Sequence, residues 1–299
     1  MAERLDDLVA SWRRHLRAAD KAPRTVELYG QSVRFFTRWL TDRGRQPTLD
    51  ELTRSAIAHW LGDLADAGQS TNTLSTRFRG LRRFCRWLVA ENLVDRSPME
   101  GMEQPKAAPQ PVPILTDEEI GALLKATAGS AFADRRDHAI LRVLFDCGVR
   151  ISEVTRLTLL DVDFDVEVVR VIGKGRKVRV VPFGAKTSRA LDRYLRERRK
   201  HPKAGETDRL WLSQRGPLSV DGLDERIRIR GTQAGVVDLH AHRFRHTAAH
   251  SWLAAGGGEQ DLKRLMGWTS DAMLAVYGSS AAEQRAREAA RRLRLGDRL

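Results

Sequence analysis

Five consecutive residues, 242-HRFRH-246, place two imidazoles and two guanidiniums side by side. Arginine presents a planar fork that matches the paired oxygens of a phosphate. The stretch is therefore suited to holding a phosphoryl group. Two further cations share that aptitude. Arg150 follows Cys147-Gly148, a helix stop, and Lys174 stands between Gly173 and Gly175, which let a backbone approach a ligand. Glu153 lies one helical turn after Arg150, where a carboxylate can hold the guanidinium in place. Tyr277, one of only three tyrosines, follows the basic stretch at the distance of a short helix. Singly, these groups are commonplace: an Arg–Glu pair on a surface contributes little. Their joint occurrence at element ends and turns, where sites are commonly built, is the informative feature.

Charge points the same way. The 299 residues carry 52 Lys and Arg against 39 Asp and Glu, a net charge of +13 that attracts polyanions. Nucleic acid is the expected partner; solvated faces of an arginine-rich chain are the competing explanation. With 41% hydrophobic and 30% charged residues the composition is globular. No apolar run approaches the roughly 20 residues of a membrane span, and MAERLDDLVASW lacks the basic start and apolar core of a signal peptide. Cys85 and Cys147 are too few for a disulfide framework. Each sits in an apolar helical pattern and reads as a small core residue in a reducing cytoplasm.

The elements that must position these groups are mostly helices. Residues 1–102 read as all-helical. One stripe runs through Leu5, Leu8, Val9 and Trp12, and a second through Val26, Tyr29, Val33, Phe36 and Leu40 before Gly44. A third helical region covers 48–68. A fourth, 70–93, carries Leu74, Phe78, Leu81, Phe84 and Leu88, with Arg77, Arg79, Arg82, Arg83 and Arg86 assigned to its opposite face as a phosphate-tracking surface. Four prolines among residues 103–113 mark a linker. Thr116 and Glu119 form a capping box that opens the second domain, 114–299. Helices are expected at 135–147 and 149–159. The period then changes: 166–172 and 177–183 are β-branched runs joined by 173-GKGR-176, a hairpin with Lys174 and Arg176 at its tip. Helices resume at 186–199, near 221–234 and repeatedly from 240 to 277. A last, arginine-rich helix spans 281–296.

The segments 148-GVRISEVTRL-157, 173-GKGRKVRVVPF-183, 242-HRFRHT-247, 265-LMGW-268 and 276-VYG-278, in that order, resemble the tyrosine recombinase (phage integrase) family. The resemblance covers nearly the whole chain and is strongest to the simple Xer-type members. Spacings agree: 24 residues from Arg150 to Lys174, 23 from Arg245 to Trp268, and 9 from Trp268 to Tyr277. The fold it implies is mainly α with a small antiparallel sheet. A helical, SAM-like core-DNA-binding domain would precede an α+β catalytic domain.

The catalytic set it implies is Arg150, Lys174, His242, Arg245, Trp268 and Tyr277, with Glu153 and His246 in support. Arg150 and Arg245 would clamp the non-bridging oxygens of a phosphodiester, and Tyr277 would attack the phosphorus. His242 would handle the phenolic proton, and Lys174 would protonate the departing 5′-oxygen. Trp268 stands where many members have histidine; its indole N–H donates but cannot shuttle protons, so phosphate contact and packing are its expected tasks. A second His-x-x-Arg frame, His240 and Arg243, overlaps the first, but only His242/Arg245 fits the Arg-His-Thr continuation and the downstream spacing.

Strand exchange through a Holliday junction in a homo-tetramer, or a hetero-tetramer with a related recombinase, on double-stranded DNA is implied. A type IB topoisomerase-like nick-and-reseal enzyme and a non-catalytic DNA-binding protein are the alternatives. No cofactor is expected: 173-GKG-175 is not a P-loop, and 246-HTAAH-250 lacks the glutamate of a zinc-protease motif.

Overall fold

The computed structural model of the chain describes residues 3–106, 113–271, 273, 274 and 291. Tyr277, all but residue 291 of the expected C-terminal helix and most of the proline-rich stretch lie outside these residues. The chain divides into two compact units, Met1–Pro109 and Gln110–Leu299.

The first unit is built from α1 (Leu5–Ala18), α2 (Pro23–Asp42), α3 (Arg54–Asp66) and α4 (Thr71–Ala90). Each buries the stripe its periodicity announces: Leu5, Leu8, Trp12 and Leu16 on α1, and Phe78, Leu81, Phe84 and Leu88 on α4. At Gly80 of α4 a β-carbon would stand 2.4 Å from Ser32 Oγ, so α2 and α4 touch where a side chain is absent. The region 48–68 is not one helix. Thr53 accepts a hydrogen bond from the Ala56 amide at 3.2 Å, and this cap starts α3 after a short 3-10 turn at Leu49–Glu51.

The second unit opens with α5 (Asp117–Ala126), whose capping box is complete: Thr116 accepts from Glu119 N, and Glu119 accepts from Thr116 N. Next is α6 (Phe132–Cys147), which ends on Gly148 in the left-handed region. Of the expected helix 149–159 only α7 (Ile151–Val154) forms. Beyond it, Asp161 accepts from the Thr158 amide and Leu159 donates to the Asp208 carbonyl, which turns the chain away from helix. β1 (Val162–Asp163), β2 (Val168–Ile172) and β3 (Val178–Pro182) form an antiparallel sheet in that order, with Ile172 opposite Val178 at the hairpin end. Then come α8 (Ala185–Arg198), a two-residue ribbon of β4 (Leu212–Ser213) and β5 (Gly216–Pro217), α9 (Val220–Ala234), α10 (Ala241–Ala254) and α11 (Glu259–Met266). The core gathers Leu144, Val154, Val171, Leu191, Trp211 and Phe244 from helices and sheet alike. The fold is thus mainly α with a small antiparallel sheet, as expected.

Both cysteines are buried in these cores. Burial pushes the Cys85 thiol up to about 12 and raises that of Cys147 as well, so both are inert packing groups.

Candidate active site

Gly148 begins the site. It caps α6 at φ 55°, and a β-carbon there would meet Met266 Cε at 2.5 Å. The chain therefore turns sharply and delivers Arg150 to the N-terminus of α7. Arg150 donates twice to Glu153, from its amide to Oε2 at 2.8 Å and from Nη1 to Oε1 at 3.0 Å. Arg150 nevertheless keeps 39% of its side chain exposed, whereas Glu153 keeps 4%. One end of the guanidinium is tied down and the remainder faces solvent.

Glu153 also receives a second fork, which the sequence reading missed. Arg179 of β3 donates from Nη1 to Oε1 at 2.9 Å and from Nη2 to Oε2 at 2.8 Å, and from Nε to the Leu265 carbonyl at 2.7 Å. Burial alone would raise the Glu153 carboxyl, but the hydrogen bonds from Arg179 and Arg150 and their charges outweigh it and leave it at about 2. No local spacing in the sequence points to Arg179; the exposure of its strand does. On β3, Val178 and Val180 are 59% and 52% exposed while Arg179 turns inward, the reverse of the usual alternation.

α10 supplies the basic stretch. Arg245 is 1% exposed and lies in the second turn of α10, not at an element end. Its Nη1 donates to the Gly148 carbonyl and its Nη2 to the Met266 carbonyl, each at 2.6 Å. Its guanidinium carbon sits 5.5 Å from the centre of the Trp268 ring. Arg243, the overlapping frame, is engaged elsewhere: it donates to the carbonyls of Val237 and Ile114 and to Glu119.

His242, in the first turn of α10, is held below its ordinary value by partial burial and then by the charges of Arg245, His240 and Arg150. His246 meets it edge to face at 4.7 Å. Burial, then His242, His240 and Arg245, lower His246 to about 4. His246 is therefore neutral at pH 7 and carries no charge to the site.

A pocket of about 600 Å³ joins these parts, lined by Arg150, Gly173, Arg179, Gly267 and Trp268 among others. Arg150 and Trp268 line it, Arg245 packs behind Trp268, and the charges of Arg245 and Arg150 act on His242, so these four groups gather in one region. Gly173 brings the hairpin end to the same pocket, and its amide donates to the Lys177 carbonyl at 2.8 Å. The turn beyond it holds Gly175 at φ 71° and Arg176 at φ 59°, with Arg176 exposed. The Lys174 side chain and Tyr277 are outside the described residues.

The arginines of α4 do not act as one face. Arg79, Arg83 and Arg86 are exposed. Arg77 instead stacks over Phe35 at 4.0 Å and donates weakly to Gln31, and Arg82 donates to Gln104 at 3.2 Å. Burial lowers the basicity of Arg77. Arg77 sits two positions before Arg79, on the other side of the helix, and so falls in the groove beside α2.

Residues 113–284 match the phage integrase family, and residues 9–92 match the phage integrase N-terminal SAM-like domain. The tyrosine recombinase XerD of Bifidobacterium longum is 30% identical over 268 residues, covering 86% of each chain. The tyrosine recombinase XerC of Mycobacterium bovis BCG is 32% identical over 261 residues, covering 85% of this chain and 87% of its own. Among solved structures, a lambda integrase tetramer bound to a Holliday junction shares the fold with a TM-score of 0.69 at 16% identity, over 89% of this chain and 78% of that one. With its larger unit matched along most of its length and relatives alike across both units, the chain belongs to the phage integrase family of tyrosine recombinases, of the Xer type.

Proposed function

We propose that this site-specific recombinase cuts and rejoins duplex DNA through a 3′-phosphotyrosyl intermediate, with Arg150, Lys174, His242, Arg245, Trp268 and Tyr277 as its catalytic set. The observation that carries the reading is the state of Arg150. Its guanidinium is fixed by a buried carboxylate yet remains open to the pocket. A cation held in advance of the reaction is what a phosphorus centre gaining negative charge requires.

The steps follow from the groups. The Tyr277 hydroxyl attacks the phosphorus and its proton passes to His242, whose basicity is held below its ordinary value by partial burial and then by the charges of Arg245, His240 and Arg150. Arg150 and Arg245 neutralise the non-bridging oxygens, and the Trp268 indole N–H supplies a further donor. The phosphorus–5′-oxygen bond breaks, and Lys174 gives its proton to that oxygen. The products are a phosphotyrosyl ester and a free 5′-hydroxyl. Attack by the 5′-hydroxyl of another strand reverses every transfer and reseals the backbone. The ester conserves the bond, so the cycle requires neither ATP nor a metal ion.

In this reading residues 1–102 form the helical DNA-binding domain, 103–113 the linker and 114–299 the catalytic domain. Arg79, Arg83, Arg86 and Arg176 contact phosphates, and the protein works in the cytoplasm. Strands exchange in pairs through a Holliday junction within four protomers, of this chain alone or with a related recombinase. The lambda integrase tetramer on such a junction supports that arrangement. The test is a nicked suicide duplex whose cleaved fragment diffuses away. Covalent DNA should accumulate and map to the peptide holding Tyr277, and Tyr277→Phe should trap none. Trapping by the Phe variant, or a linked peptide elsewhere, defeats the assignment.

A further inference from the structure

Away from the catalytic pocket, α6 and α8 border a second cavity of about 310 Å³. Arg135, His138 and Arg142 reach it from α6, and Lys186, Arg189 and Arg193 from α8. Each triplet has i, i+3, i+7 spacing, so each forms a single stripe on its helix. The two cavities share no lining residue. No carboxylate lines this one, and none of its five cations forms an ion pair or a side-chain hydrogen bond with a described residue. The Nε of Arg142 is buried without a partner.

The contrast within α6 is sharp. On its other side Asp137 receives Arg136, Arg226 and Arg230, and Asp134 receives Arg230 again. The fold neutralises guanidiniums there and leaves them uncompensated here. Burial, then the charges of Arg142, Arg135 and Arg193, lower His138, whose Nδ1 pairs with Thr127 Oγ1 at 3.0 Å. Like charges concentrated around a cavity raise its free energy until an anion enters.

We propose that the cavity between α6 and α8 is a binding site for a compact, multiply charged phosphate ligand. Four of its five cations are arginine, whose fork fits phosphate oxygens in pairs. Its volume lies at the lower end of ligand pockets, roughly 300 to 1,000 Å³, which suits a linked pair or trio of phosphates. The same groups occur in free polyphosphate compounds and along a nucleic-acid backbone. The inference is independent of the catalytic assignment.

Titration of the full chain with inorganic tripolyphosphate at low salt tests it. Binding should be saturable, and Arg189→Ala/Arg193→Ala should weaken it by at least about tenfold, the loss of two charge-assisted contacts. Both side chains are exposed, so the fold should keep its circular dichroism. In an Arg150→Ala background, which removes the phosphate contact proposed for the catalytic pocket, the double substitution should weaken tripolyphosphate binding by the same factor. Duplex DNA that competes with tripolyphosphate, and binds the double variant more weakly, assigns the phosphates to a nucleic-acid backbone. Duplex that does neither assigns them to a free compound. Absence of binding, equal binding by the double variant, no further loss when the double substitution is added to Arg150→Ala, or tighter binding of a polyglutamate peptide at these arginines overturns the proposal.

Discussion

Glu153 holds two guanidiniums at once, and its neighbours depend on its charge. Glu153→Gln should leave Arg179 half-buried and poorly paired. We expect a loss of about 3 to 5 kcal/mol in urea denaturation together with loss of DNA cleavage; a change below about 1 kcal/mol would show that the pair is dispensable. Acid should weaken the unit in two windows. The Glu153 carboxyl is depressed from near 4.5 to about 2, so its contribution is complete above pH 4.5 and disappears as pH falls toward 2. His246 is depressed from near 6.5 to about 4, so folding is favoured above pH 6.5 and opposed as pH falls toward 4. Urea midpoints at pH 7.5, 5.5 and 4 should fall progressively, and His246→Gln should flatten the upper part of that fall. An unchanged profile in the variant refutes the role given to His246. Arg150 and Glu153 were readable because their partnership is local. Arg179 was not, because its partner lies 26 positions earlier and only the strand's inverted exposure gives it away.

At the scale of elements, legibility followed local chemistry. The capping box at Thr116 and the glycine-rich hairpin around Lys174 are set by neighbouring residues, and both form where expected. The stretch 149–159 and the β4–β5 ribbon depend on distant partners, such as the Leu159 bond to Asp208, so helical patterning misled for the first and nothing announced the second. The joint between α6 and α7 is the most demanding element boundary. Gly148→Ala would require a left-handed alanine and would press on Met266. Its cost should exceed about 2 kcal/mol by chemical denaturation, since backbone strain and overpacking combine there. A cost under about 1 kcal/mol would mean that the α6–α7 turn can relax.

The whole molecule carries separate cores. One is drawn entirely from Leu5 through Met99, while the largest of the second unit runs from Leu115 to Phe244. Calorimetry of the full chain should therefore give a van't Hoff enthalpy clearly below the calorimetric one, the mark of more than one cooperative unit; equality of the two would show a single transition. Arg245 has a further meaning at this scale. It donates to the cap residue of α6 and to the last residue of α11, two negative helix ends that approach from different parts of the chain. It is a keystone as well as the phosphate clamp proposed above. Truncating it to alanine should loosen the architecture that positions Arg150, so failed cleavage by that variant would not by itself identify a chemical role. Supplying methylguanidine in solution resolves the two duties. Partial recovery of cleavage by Arg245→Ala, with none for Tyr277→Phe, would mean that the vacated socket refills and that the missing cation, rather than a collapsed scaffold, had been limiting.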